Sequence, residues 1–284
     1  MSETLSIATA NSKSPTQTLK EIIGAVVSTA CRSRADELYR SPTSSPRGIR
    51  DKAIMAWLKR RSLHEGSSEF FERLHLDFWA TDGGEEFADN CDHRFEDLFL
   101  KKQSEDFDAL KKVWNEVGPK QIVEFGCSSG KLTNYLATNL DGVQSATGIE
   151  INRAQVESNR KSTSFDPRVR FECADASNWL NENALPETLF VTNGGVLEYF
   201  HRERLNEMLA RIVEESKPAI FFASEPVAVD HDWANSKESV PFGEELSFSH
   251  NYTDLFESNG FAILHQRSVD FGQWTMVCTI AVAN

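Results

Sequence analysis

The spacing of apolar positions changes at about residue 119. Before that point they recur at intervals of three and four. Ile22, Ile23, Val26, Val27 and Ala30 share a face and predict a helix from Leu19 toward Tyr39. The turn-rich stretch from Ser41 to Pro46 stops it. Ile49, Ala53, Ile54, Trp57 and Leu58 predict a second helix over 47–64. Further helical stretches are expected over 68–79, 87–100 and 104–117, with Asp82-Gly83-Gly84 as a break. Residues 1–17 are rich in Ser, Thr, Ala and Asn, show no apolar period and are expected to form a disordered tail.

After Pro119 short apolar runs alternate with polar helical ones. Runs over 121–127, 145–151, 169–174, 188–192, 219–223, 261–266 and 274–282 predict strands. Helices are expected between them, over 129–139, 152–162, 176–182, 201–216 and 251–259. Near-continuous apolar strands separated by helices make a parallel sheet covered on both faces. The last two runs are joined only by Arg267 to Gln273, too short for a parallel crossover, so the final strand should turn back antiparallel. The expected fold is therefore α/β: a doubly wound, seven-stranded, mostly parallel sheet with an antiparallel last strand, preceded by an N-terminal helical cap. The expected domains are a tail over 1–17, the helical cap over 18–118 and the sheet domain over 119–284.

Composition narrows the classes of function. The chain of 284 residues is 40% hydrophobic, enough for a substantial core. A formal net charge of −13, with no net positive charge on either side of residue 119, disfavours nucleic acid as a partner. Five cysteines (Cys31, Cys91, Cys127, Cys173, Cys278), without a CxxC pair, read as free thiols rather than a disulfide frame or zinc site. No apolar run is long enough for a bilayer. The run Ile22 to Ala30, between Glu21 and Arg32, reads as a helix start rather than a signal-peptide core. A cytoplasmic protein with no membrane partner is expected.

The first predicted strand ends in Val123-Glu124-Phe125-Gly126-Cys127-Ser128-Ser129-Gly130-Lys131-Leu132. A glycine-bearing turn from strand into helix lets a ligand approach backbone N–H groups closely. Glu150 stands at the tip of the second strand, where a carboxylate can accept both ribose hydroxyls. Asp175 ends the third, where it can take a hydrogen bond from an adenine amino group. Three consecutive strand ends thus converge on one crevice at the switch point of the sheet. Gly-x-Gly-x-x-Gly cannot be written here, and no Gly-Lys-Ser/Thr follows, which disfavours dinucleotide and phosphate-binding loops.

Over roughly residues 119–284 this pattern resembles the class I S-adenosylmethionine (SAM)-dependent methyltransferases, a Rossmann-like superfamily with a reversed seventh strand. The family motif acidic-x-Gly-x-Gly-x-Gly appears as Glu124 to Gly130, with Ser128 in place of the middle glycine. The resemblance implies S-adenosyl-L-methionine as cofactor. Glu124, Phe125, Gly126, Cys127, Ser128 and Gly130 would cradle its methionine end, Glu124 ordering the loop. Glu150 and Ile151 would hold the ribose, and Asp175 and Ala176 the adenine. Asn193 and Gly194, with the segment through Tyr199, would border both cofactor and acceptor.

That edge reads Asn193-Gly194-Gly195-Val196, not the Asn/Asp-Pro-Pro-Tyr/Phe of nucleobase and glutamine amino-methyltransferases. It also lacks the aspartate of metal-dependent O-methyltransferases, so no metal is expected.

Methyl transfer from a sulfonium is an in-line displacement that needs alignment, and a base only where the acceptor must lose a proton. The candidate catalytic residues are His250, Glu198 and Tyr199, followed by His231 in the long 226–249 connection and His201. Structural roles stand beside these: His250 as neighbour of a helix cap at Ser249 or Asn251, Glu198 as a cap of the next helix, Cys127 as a small packed residue. Lys59-Arg60-Arg61 suits a solvated helix face. The aromatic series Phe70, Phe71, Phe78, Trp79, Phe87, Phe95 and Phe99 suits helix packing, with a minority lining the site. The expected function is methyl transfer to an oxygen or nitrogen of a small-molecule acceptor, with the helical cap as a lid. A protein or peptide acceptor, and a SAM-binding partner protein that does not methylate, are the alternatives. A homodimer is compatible with either.

Overall fold

The computed structural model describes residues 15–81, 95–183, 185–243, 246–272 and 274–284. The chain divides into two compact units, Met1–Asp77 and Phe78–Asn284. The expected break at Asp82-Gly83-Gly84, Phe87, Cys91, most of the expected 87–100 helix and residues 1–14 of the expected tail lie outside the described residues.

The first unit is helical: α1 (Pro15–Ala30), α2 (Arg32–Arg40), α3 (Gly48–Glu65) and the larger part of α4 (Ser68–Ala80). Helix α1 begins at Pro15, so residues 15–17 are helical rather than tail. Proline suits a first turn because its missing N–H has no partner there. The single helix expected from Leu19 to Tyr39 is two helices, broken where Cys31 leaves helical dihedrals (φ −116°, ψ 49°). Val26, Val27 and Thr29, all β-branched, weaken the turn before the break. Helix α2 then follows its own axis, from which Arg34 donates to Asp51 of α3 at 2.7 Å. Tyr39 stacks on Phe70, and Asp77 accepts from the Ser44 N–H and hydroxyl at 2.7 and 2.8 Å, tying the 41–46 turn to α4.

The second unit contains a π-helical segment Phe95–Lys102, α5 (Ser104–Val117) and the sheet. Its strands are β1 (Gln121–Phe125), β2 (Ser145–Glu150), β3 (Val169–Cys173), β4 (Thr188–Asn193), β5 (Ala219–Ala228), β8 (Ala262–Asp270) and β9 (Trp274–Ala283), with a separate pair β6 (Val240–Phe242) and β7 (Ser247–Ser249). The helices between them are α6 (Lys131–Asn139), α7 (Arg153–Lys161), α8 (Ala176–Glu182), α9 (Arg202–Glu215) and α10 (Tyr252–Ser258). The seven-stranded sheet runs β3-β2-β1-β4-β5-β9-β8. β1 to β5 are mutually parallel, and β9 lies antiparallel between β5 and β8. This is the expected architecture, reversed last strand included.

Alternate residues of each strand face opposite sides, and the sheet accordingly has two cores. Phe125, Phe190 and Phe221 pack against Trp179 of α8, Leu209 of α9 and Phe256 of α10. Ile122, Val191 and Phe222 pack with Phe99, Leu110 and Trp114 and with Leu132 and Leu136 of α6. Residues 95–117, grouped by composition with the helical cap, therefore share the sheet's own packing.

Two features depart from the sequence pattern. The β6–β7 hairpin occupies the 226–249 connection, which had no predicted strand. β5 extends to Ala228, past Ser224-Glu225-Pro226, where the predicted run stops. Pro226 is tolerated because β4 pairs with β5 only as far as Ser224; beyond it β5 has β9 alone as a partner.

Candidate cofactor and transfer site

Parallel strands bring the carboxyl ends of β1, β2, β3 and β4 to one rim. The β1–α6 turn is left-handed at three positions: Gly126 (φ +69°), Ser128 (φ +43°) and Gly130 (φ +72°). At Gly130 a Cβ would stand 2.4 Å from the Phe171 ring, so the turn lies directly on β3's side chain and admits no larger residue. Glu124, buried at the end of β1, accepts a hydrogen bond from the Thr133 hydroxyl of α6 and locks strand to helix across the turn. Cys127 is buried, with its thiol at Gly148 of β2, and burial pushes its pKa up, so it is a packed thiol.

Glu150 accepts the Ser128 N–H on Oε2 at 3.0 Å and the Asn152 N–H on Oε1 at 2.9 Å. Each oxygen keeps a second lone pair for a ligand hydroxyl. Asn152 caps α7 by accepting the Gln155 N–H at 3.0 Å, and its amide reaches the carbonyls of Trp79 and Thr81 at 3.4 and 3.3 Å. Ile151 carries its carbonyl beside the Cys173 thiol at 3.6 Å. Asp175 caps α8: Oδ1 accepts the Asn178 N–H at 2.9 Å and also the Arg204 guanidinium. Its Oδ2 is buried and takes no hydrogen bond from the described residues. Ala176, next in sequence, is buried at the start of α8. At the end of β4 Asn193 Oδ1 is likewise buried and without a donor among the described residues.

These two open acceptors, beside a half-buried carboxylate and a left-handed turn, fit a ligand carrying an amino-substituted base and a ribose.

The acceptor-side segment follows β4. Gly194 (φ +83°) and Gly195 (φ +97°) turn the chain into a single 3-10 turn, Leu197–Tyr199. A Cβ at Gly195 would stand 2.2 Å from Glu198 Oε1, so the glycine makes room for that carboxylate. Tyr199 meets Trp79 edge to face, ring centroids 5.1 Å apart.

Glu225, which the sequence reading did not single out, holds this segment in place. Fully buried on β5, it accepts the N–H groups of Val196 and Leu197 at 2.8 and 2.9 Å. Asn159 and Arg204 also act on the site unannounced, through the Ser128 carbonyl and Asp175. A glutamate breaking an apolar strand run was the one available signal for Glu225.

His250 is placed in the core. Its Nδ1 pairs with the Ser239 hydroxyl at 2.7 Å, its ring lies between Phe248 and Tyr252, and burial pushes its pKa down to about 3. His231 pairs through Nδ1 with Ser249 at 2.8 Å, and His201 precedes α9 with Glu203 at 4.0 Å.

Burial also raises the pKa of Glu124 to about 8 and of Glu225 to about 7, and lifts that of Glu150. Such groups hold their protons in the folded protein after the unfolded chain has lost them. Stability therefore falls as pH rises from the ordinary carboxylate range and levels off above the folded values. His250 and His231, both shifted down, act in the opposite sense, but only below about 6.5. Between pH 6.5 and 8 the carboxylates prevail among the described groups. Urea unfolding of the ligand-free protein is expected to lose about 1–2 kcal/mol over that interval. A gain over the same interval would contradict buried, protonated carboxylates.

Residues 122–219 match the family described as a methyltransferase domain. No curated protein matches the sequence. Among solved structures, the chain resembles magnesium protoporphyrin IX methyltransferase from Synechocystis PCC 6803. With SAM bound, that structure has a TM-score of 0.52 and 14% identity, over 75% of this chain and 97% of that one. With S-adenosylhomocysteine (SAH) bound, the TM-score and identity are the same, over 75% and 100%. The cyclopropane synthase MmaA2 from Mycobacterium tuberculosis gives a TM-score of 0.48 and 12% identity, over 62% and 83%. Among the described residues no helix is long and apolar enough to cross a membrane, and no three His, Cys, Asp or Glu are grouped to hold a metal ion. The domain match over residues 122–219 and the sheet order with its reversed strand give this part of the chain the fold of the class I SAM-dependent methyltransferases.

Proposed function

We propose that the enzyme methylates an oxygen or nitrogen atom of a small-molecule acceptor, with the cofactor at the β1–β4 rim and the acceptor against residues 193–199. The observation that carries the cofactor side is the pair of open buried acceptors, Asp175 Oδ2 and Asn193 Oδ1, flanking Glu150. The cofactor supplies an electrophilic methyl group on a sulfonium. Glu150 accepts the ribose hydroxyls, Asp175 Oδ2 accepts the adenine amino group with Ala176 and Ile151 beside it, and the Gly126–Gly130 turn offers its backbone to the methionine end. Phe125 and Glu124 support that turn from the sheet.

On the acceptor side, the Tyr199–Trp79 pair forms an apolar wall, and Glu198, the residue before Tyr199, turns its carboxylate to Gly195. An apolar wall with one polar group favours a small body over an extended polypeptide. Glu198 takes the acceptor's proton where one must leave, and Tyr199 orients the acceptor. His250, sealed in the core and neutral, supports the segment instead. In-line displacement asks for no Lewis acid, and the free state of Cys31, Cys127, Cys173 and Cys278 suits a reducing cytoplasm.

Incubation with methyl-labelled SAM and a cell extract tests the reading. Label is expected in the small-molecule fraction. Label confined to precipitated protein would favour a polypeptide acceptor, and the absence of any binding heat with SAH would remove the proposed cofactor site.

A further inference from the structure

Ser128 occupies the place where the family motif has its middle glycine, yet its backbone is left-handed (φ +43°), a region that strains any residue with a Cβ. Something outside the turn must hold it there. Both of its backbone polar groups are gripped: the N–H by Glu150 Oε2 at 3.0 Å, and the carbonyl by the side-chain amide of Asn159 at 2.7 Å.

Asn159 is suited to that task. It is 5% exposed on α7, and its Oδ1 is fixed by the Gln155 side chain at 2.9 Å, so the amide can present only its N–H₂ group to the turn. Gln155 is in turn positioned by Asn152, the helix cap that also donates its N–H to Glu150. Asn152, the cap, is followed at spacings of three and four by Gln155 and Asn159 on one face of α7. They form a polar ladder from the ribose carboxylate to the strained serine.

We propose that Asn159 is a positioning residue for cofactor binding: it holds Ser128 left-handed, and so keeps the Ser128 N–H on Glu150 and that carboxylate aimed at the ribose. The inference rests on the cofactor reading above for its consequence, but not for the conformation itself. It explains how this chain does without the glycine: a side chain on the neighbouring helix replaces conformational freedom with a hydrogen bond.

The test is a double-mutant cycle on the full chain. Asn159→Asp keeps the shape and removes the donor. Asn159→Leu removes it without adding charge and serves if the aspartate disturbs folding. SAH affinity, by calorimetry, is expected to weaken about 5- to 20-fold in either variant. With Ser128→Gly as the reference background, each double variant should lie within about 3-fold of the Ser128→Gly single variant. A role of Asn159 in general stability alone would not be rescued by a glycine at 128.

Amide hydrogen exchange of the 126–130 segment in the ligand-free protein provides a second readout: faster in the Asn159 variants, restored in the doubles. Equal losses with serine and with glycine at 128, or unchanged exchange, would overturn the proposal. If the parent itself takes up no SAH, the cofactor reading fails, and the exchange measurement alone decides whether Asn159 holds the turn.

Discussion

Glu225→Ala is expected to lower the unfolding free energy by about 2–5 kcal/mol, because it strands a buried N–H group on Leu197 and a partly buried one on Val196, each costing about 1–3 kcal/mol when left without an acceptor. Those groups, on Val196 and Leu197, have the Glu225 carboxylate as their acceptor at 2.8 and 2.9 Å, and the side chain is fully buried. Glu225→Gln keeps one oxygen and should cost about 1 kcal/mol or less. At roughly 2–4 °C per kcal/mol for a domain of this size, melting curves separate the two variants clearly. The expectation extends to function. The released segment carries Glu198 and Tyr199, so the alanine variant should lose methyl transfer more steeply than it loses SAH affinity. Equal stability of the alanine and glutamine variants would show that the carboxylate does not anchor the segment.

The second large effect is on cofactor affinity. Glu150→Ala removes the proposed partner of both ribose hydroxyls and the acceptor of the Ser128 and Asn152 N–H groups. Hydrogen bonds to a charged group contribute about 1.5–3 kcal/mol each, so SAH affinity should fall at least about 100-fold. Glu150→Gln, with a single acceptor oxygen, should fall in between. Calorimetry with SAH, next to a melting curve to confirm folding, measures both. Undiminished affinity in the alanine variant would displace the ribose from Glu150.

The sheet was legible because parallel strands are buried on both faces and therefore read as unbroken apolar runs. The seven runs, the helices between them and the hairpin return all follow from that one constraint. So did Glu124, Glu150 and Asp175, since strand ends can be located before any side chain is placed. What escaped depends on where distant segments meet. Glu225 reads as a break in β5 because its partners, the amides of Val196 and Leu197, lie across the sheet rather than along the chain. Asn159 looks like any polar residue of an amphipathic helix until the Ser128 carbonyl is brought to it. His250 reads as a loop histidine before a helix. The β6–β7 hairpin, built from three-residue strands too short to show alternation, encloses it instead.

The open border of the sheet at β3 carries a last consequence. There, Phe171 points its carbonyl away from β2, and Arg160 of α7 donates its Nε–H to it at 2.8 Å. A strand rim with free carbonyls and amides is a template on which a second polypeptide can zip. With a guanidinium seated at its centre, that register is interrupted, and neighbouring copies are denied a way to polymerise through this border.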